Sequence, residues 1–369
     1  MRIFHAVPGT ANYHALPSSK IWHTNLYLPL LDLGHELVPF ESAYSDYAIH
    51  QDPAVPEHRG WIDRHRPRFS EELVRQVRAA HRQKPLALFF SYFYSAYVEP
   101  DAIREIGRMG IPTVNWYCNA SYQFHLVEEI APAYSYCLVP EKHRLADYRR
   151  IGANPIYCQE AANPNFYYPC DVPVEYDVTF VGQKYGNRPA ALCALLKAGV
   201  DARVWGPNWQ GPPPQRSWQQ EARYAAKRLL GRPAEPRCTV PLDRCGPPLS
   251  DEELVKMYSR SRISLGFTTL AAEPTDGAPN KQVRLRDFEA TMSGAFYMVE
   301  HFDELTEFFV PDREIVTWRT PDELVEKCRY YLRHEGDRQR IREAALRRAR
   351  SEHTWHRRFE MVFEKMGLS

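Results

Sequence analysis

Along the first half of the chain, short unbroken apolar runs alternate with stretches whose apolar positions recur every three or four residues. The runs at 2–7, 35–40, 86–92, 112–117, 134–139 and 155–159 have the length and continuity of strands. Between them the longer period predicts helices. One begins at Ser18 or Ser19 and stops at Gly34. A second opens on Ser70, with Glu71 and Glu72 in a first turn where the helix dipole favours acids, and runs to about Arg82. Others span 100–109, closed by Gly110, and 141–150, ending at Gly152. Residues 42–68 contain Pro53, Pro56, Pro67 and many charges, and are expected to be irregular.

The second half repeats the alternation. Strands are predicted at 176–181, 202–205, 262–267, 295–299 and 314–316. Helices are predicted at 187–198, from Ser250 with its capping box to Glu253, and at 282–292, 321–332, 335–350 and 353–366. Residues 206–248, rich in Pro, Arg and Gln, read as an insertion with a basic helix at 219–230, and 268–281 reads as a long loop. The alternation implies two parallel sheets with right-handed crossovers, that is, an α/β fold of two facing, doubly wound, Rossmann-like domains with a cleft between them. The proline-rich break at 163–173 is the expected linker. It separates a domain of residues 1–165 from one of 174–350, with a last helical segment, 351–369, packing back toward the first domain. Ligands of such sheets sit beyond the carboxyl ends of the strands, so residues just after strands are the candidates for chemistry.

Composition narrows the class. A formal net charge of +1 argues against a nucleic-acid partner. No apolar run approaches the roughly 18 residues of a membrane span, and the N-terminal segment breaks at Pro8-Gly9 rather than forming a leader, so a cytoplasmic protein is expected. The eight cysteines are scattered without a Cys-x-x-Cys pair; Cys238 and Cys245 are the nearest two, and free thiols are expected. No cluster has metal-ligand spacing and no Asp-x-Asp occurs, so no metal site and no cofactor are expected.

The most informative stretch is Asn280-Lys281-Gln282-Val283-Arg284-Leu285-Arg286-Asp287-Phe288-Glu289, followed by Ser293-Gly294-Ala295-Phe296. Lys281, Arg284 and Arg286 crowd the start of a helix, where the dipole is already positive. A bound phosphate or diphosphate would resolve that conflict, although paired charges on a solvated helix face would do so too. Glu289, one turn in, can accept hydrogen bonds from vicinal hydroxyls such as those of a ribose. Gly182 ends a strand where a ligand can approach the backbone, with Lys184 and Arg188 nearby, and Trp205 ends another. In the first half, His14 follows the first strand and Asn119 follows the fourth.

The order of these features resembles the C-terminal domain of the CgeB-like glycosyltransferases, which have the GT-B fold. The resemblance rests on Leu249-Ser250-Asp251-Glu252, Arg262-Ile263-Ser264-Leu265-Gly266-Phe267, Arg286-Asp287-Phe288-Glu289-Ala290, Asp322-Glu323-Leu324 and Glu352-His353-Thr354-Trp355. Upstream, Tyr176–Val181 with Gly182, Val204-Trp205-Gly206-Pro207-Asn208-Trp209 and Asn163-Pro164-Asn165-Phe166-Tyr167-Tyr168-Pro169 extend it. It implies a hexosyltransferase-like enzyme that moves a sugar from a nucleotide diphosphate sugar to an acceptor hydroxyl in glycoconjugate or surface polysaccharide synthesis. The C-terminal domain would bind the donor through Gly182, Lys184, Arg188, Trp205, Lys281, Gln282, Arg284, Arg286 and Glu289, without a metal. Glu289 matches the second acid of the Glu-x7-Glu pattern of related enzymes, the one that holds the ribose; Lys281 stands in place of the first. The N-terminal domain would hold a carbohydrate, glycolipid, small-molecule or protein acceptor, with His14 and Asn119 as the candidate catalytic residues. A non-catalytic sugar-nucleotide-binding or assembly protein, or an epimerase of the same fold, is the alternative.

Overall fold

The computed structural model describes residues 1–8, 19–42, 50–211, 239–270 and 280–368. Its contacts divide the described chain into two compact units. The first takes residues 1–167, 280–289 and 349–368, and the second takes 168–270 and 290–348.

The first unit is built on a six-stranded sheet of β1 (Arg2–Ala6), β2 (Glu36–Pro39), β3 (Leu88–Ser91), β4 (Thr113–Trp116), β5 (Tyr136–Val139) and β6 (Pro155–Tyr157), in the order β2-β1-β3-β4-β5-β6. Every neighbouring pair is parallel. The order reverses between β1 and β3, the switch point at which doubly wound sheets bind ligands. The apolar runs of the sequence are buried here as expected; Phe89, Phe90 and Phe93 all lie in the core.

Two segments depart from the sequence reading. The first predicted helix contains a π-helical turn, His23–Tyr27, before its α-helical end at Leu28–Asp32. More markedly, the stretch expected to be irregular is helical from Pro56, which opens a helix continuous to Gln83. Pro56 occupies the first turn, where a missing N–H costs nothing, but Pro67 lies in the interior, at a cost of about 3 kcal/mol. Ile62, Phe69, Leu73, Val74 and Val77 on the buried side offset it, at roughly 1.5–3 kcal/mol each. The helix Trp355–Lys365 completes this unit. Trp355 meets Trp116 edge-on, Phe359 meets Phe90, and Phe363 meets His35.

The second unit holds β7 (Tyr176–Val181), β8 (Ala202–Trp205), β9 (Cys245–Gly246), β10 (Ser261–Gly266), β11 (Tyr297–Glu300) and β12 (Val316–Trp318) in the order β12-β11-β10-β7-β8-β9, again all parallel. This is the Rossmann order, with its switch point between β7 and β10. Strand β9 falls inside the stretch read as an insertion; the helix expected at 219–230 lies outside the described residues. The predicted capping box is present, with the Ser250 side chain accepting from the Glu253 N–H, and Thr320 caps its own helix from Glu323 in the same way. Cys118, Cys137, Cys158, Cys170, Cys245 and Cys328 are free thiols; Cys193 is disulfide-bonded, a departure from the expectation of free thiols throughout.

Candidate functional site

In the first unit Asn119 and Gln282 meet beyond the exit of β4, and Arg284 and Glu289 lie near Glu160, which follows β6. Asn119 follows β4 by three residues and its carbonyl accepts the N–H groups of Tyr122 and Gln123, which starts the short helix Ala120–Gln123. The buried Gln282 binds on either side of it, donating from Nε2 to the Cys118 carbonyl (2.6 Å) and accepting at Oε1 from Ser121 Oγ (2.9 Å). Ser121 in turn donates its N–H to Glu141 Oε1 (3.2 Å), and its carbonyl accepts from Arg144 (2.8 Å). Gln282 thus ties the loop carrying Lys281 and Arg284 to the end of β4, next to Asn119. His14 lies outside the described residues.

That loop leads into the helix Leu285–Met292. Asp287 accepts the Arg284 N–H at Oδ2 (2.8 Å) and donates its own N–H to the Arg284 carbonyl (2.9 Å), so the helix start is capped internally. Lys281, Arg284 and Arg286 are half-buried around this start. Glu289 is buried at 4% exposure, and its Oε1 accepts from the Tyr167 hydroxyl at 2.6 Å.

Sequence reasoning missed the acids around it. Glu141 and Glu160, two and three residues after their strands, are buried, as are Asp287 and Glu289. Burial pushes the Glu160 carboxyl up to about 8. The Arg284 charge pulls it down, and the charges of Glu141, Glu289 and Asp287 add to the rise. The Cys118 thiol, beside Glu160, is raised by burial first and by that carboxylate second. The available signal was the position of Glu141 and Glu160 just after strands. Their burial and mutual proximity come from tertiary packing and leave no periodic trace.

In the second unit the exits of β7 and β8 are laced together beside the switch point. The Gly182 N–H donates to the Trp205 carbonyl (2.8 Å), the Lys184 N–H to the Pro207 carbonyl (3.1 Å), and Trp209 Nε1 to the Gly182 carbonyl (2.6 Å). The Lys184 ammonium stands 5.9 Å from the centre of the Trp209 ring. Arg188 is buried; it donates to the Gln183 carbonyl (2.7 Å) and the Tyr185 hydroxyl (2.5 Å), and stacks on Tyr185 at 3.6 Å. These contacts shape the loop 183–187 from within. The Trp205 indole packs edge-on against Tyr176 at the start of β7 and is covered by Gly246. Across the switch point, buried Glu300 accepts from the N–H groups of Thr268 (3.1 Å) and Thr269 (2.9 Å) and from Asn187 Nδ2 (3.1 Å), which fixes the loops after β7 and β10.

The fold defines the class. Over its whole length the chain is similar to sucrose-phosphate synthase from Thermosynechococcus elongatus, at 12% identity and a TM-score of 0.58, covering 100% of this chain and 99% of that one. It is similar to a glycosyltransferase from Rickettsia africae at 11% identity and a TM-score of 0.60, with coverages of 100% and 99%. It is also similar to HepE of Anabaena, solved with UDP-glucose, at 10% identity and a TM-score of 0.53, again with coverages of 100% and 99%. These likenesses establish the GT-B fold. Residues 188–364 match the family described as Glycosyl transferase-like, so the C-terminal half is a CgeB-like glycosyltransferase domain. No curated protein matches the sequence. Among the described residues no helix is long and apolar enough to cross a membrane.

Proposed function

We propose that the protein transfers a sugar from a nucleoside diphosphate sugar to an acceptor hydroxyl. The observation that carries this reading is the cationic helix start at 281–286 with a buried, oriented carboxylate at Glu289 one turn further on. In the transfer, the bond from the anomeric carbon to the diphosphate oxygen breaks, a bond to the acceptor oxygen forms, and the acceptor proton is released. Negative charge grows on the leaving diphosphate. Lys281 and Arg286, with the N–H groups of the helix start, supply positive potential for it, and Arg284 divides its charge between this role and the acids around Glu160. Glu289 holds the ribose diol. In the second unit, Gly182 and Lys184 contribute from the exit of β7, Arg188 supports that loop, and Trp205 supports the neighbouring strand. Asn119 belongs to the acceptor side, with a carbohydrate, glycolipid, small molecule or protein as acceptor in glycoconjugate or surface polysaccharide synthesis. HepE, of the same fold, is solved with UDP-glucose and with UDP, which supports a nucleotide-sugar donor.

The test is release of nucleoside diphosphate from a panel of UDP-, GDP- and dTDP-sugars. One donor is expected to be turned over, EDTA to leave the rate unchanged, and Glu289→Ala to lower it at least a hundredfold in a folded protein. Wild-type turnover in Glu289→Ala would remove the donor assignment.

A further inference from the structure

Asn187 stands at the N-cap of the helix Arg188–Lys197, where an Asn side chain ordinarily accepts an N–H of the first turn. It makes no such bond. Its amide is turned the other way: Nδ2 donates to Glu300 Oε1 (3.1 Å), and Oδ1 is buried with no hydrogen-bond partner among the described residues. The helix thus forgoes a cap, and a buried acceptor goes unmet, for one bond to a carboxylate, a break of local rules of the kind that marks functional positions.

The carboxylate is held in its turn. Glu300 ends β11 and is buried. Its Oε2 accepts the N–H groups of Thr268 (3.1 Å) and Thr269 (2.9 Å), and its Oε1 accepts the Thr269 hydroxyl (2.6 Å) besides Asn187. The order β11-β10-β7 makes the Glu300–Asn187 bond reach across the exit of β10 to the loop after β7. Gly186 brings the same two loops together: its φ is +57°, and a Cβ there would lie 3.8 Å from the Leu270 carbonyl oxygen. The loop 183–187 is therefore fixed at both ends, at the near end by the bonds of Gly182 and Lys184 to the exit of β8, and at the far end by Glu300.

We propose that Glu300 and Asn187 are positioning residues that hold the far end of this loop so that Lys184 meets the diphosphate of the donor. This rests on the reading of Lys184 as a donor contact. Neither residue touches the ligand; both act through the placement of the ammonium group, which a small shift of the loop would move off the phosphate.

The experiment measures affinity by calorimetry on the full chain, for whichever of UDP and GDP binds more tightly. Asn187→Asp sets two carboxylates against each other and is expected to weaken binding about tenfold. Adding Glu300→Gln, whose amide can donate to the new carboxylate, is expected to return the affinity to within about threefold of the wild type. Asn187→Ala removes the bond without adding a charge. It is expected to weaken binding about tenfold in the wild type and less than about twofold in Lys184→Ala, because the two changes remove one interaction. The same factor in both backgrounds, or no recovery on adding Glu300→Gln, would show that the clamp only supports the fold and would overturn the proposal. Wild-type binding in Asn187→Ala would overturn it while leaving Lys184 as a donor contact. Unchanged binding in Lys184→Ala alone would remove that reading, and the proposal with it.

Discussion

At the scale of single residues, Glu160 couples the stability of the first unit to pH. Its carboxyl titrates near 8 because burial disfavours the charged form and Glu141, Glu289 and Asp287 surround it, with Arg284 opposing. In the unfolded chain the same group ionises near 4.5. Between these values the folded state binds the extra proton, so this group's contribution to stability is full below about 4.5 and is lost as pH rises to about 8, at up to about 1.4 kcal/mol per pH unit. Glu160→Gln keeps the shape and removes the titration. The variant is expected to gain stability relative to the wild type from pH 5 to pH 8 and to hold a constant advantage above it, measured as urea midpoints across that range. Parallel profiles would show that Glu160 does not carry the proton. This residue, and Tyr167 with it, was not legible in the sequence: a lone Glu three residues after a strand has no partner until β4, β5 and β6 bring Cys118, Glu141 and Glu160 together. The cations at 281–286 were legible, because their conflict with a helix start is a local matter.

At the scale of elements, two glycines of the second unit separate backbone strain from close packing. Gly206 has φ of +138°, and a Cβ there would lie 2.4 Å from the Gly182 carbonyl oxygen. Gly199 also has positive φ, +77°, but a Cβ there would have nothing within 4 Å. Gly199→Ala is expected to cost about 1–2 kcal/mol from conformation alone. Gly206→Ala must also push apart the exits of β7 and β8, and is expected to cost about 2–4 kcal/mol and to weaken nucleotide binding at the Gly182 turn. Thermal unfolding of both variants checks the difference; equal losses would show that the two exits are not held against each other. Most elements could be read from periodicity, since β7 and β8 fall on the predicted residues. The helix Pro56–Gln83 could not, because its prolines are local signals, whereas the buried face that outweighs Pro67 is a tertiary one. Strand β9, of two residues, is too short to carry a pattern.

At the scale of the whole molecule, two parallel six-stranded sheets reverse their order, one at β1/β3 and the other at β7/β10, and Asn119, Gly182 and Lys184 stand in the loops just after strands. The alternation of strands and helices made the two-sheet architecture readable in advance, while the strand order came only from the pairing itself. Binding of a nucleoside diphosphate sugar at the cationic helix start is tested most directly by a thermal-shift screen of the full chain against UDP-, GDP-, dTDP- and CMP-sugars and the free nucleotides. One ribonucleoside diphosphate family is expected to raise the melting temperature, and Arg286→Ala to lose that rise while melting within a degree or two of the wild type without ligand. A rise that survives intact in Arg286→Ala, or no rise with any of these nucleotides, would contradict the assignment.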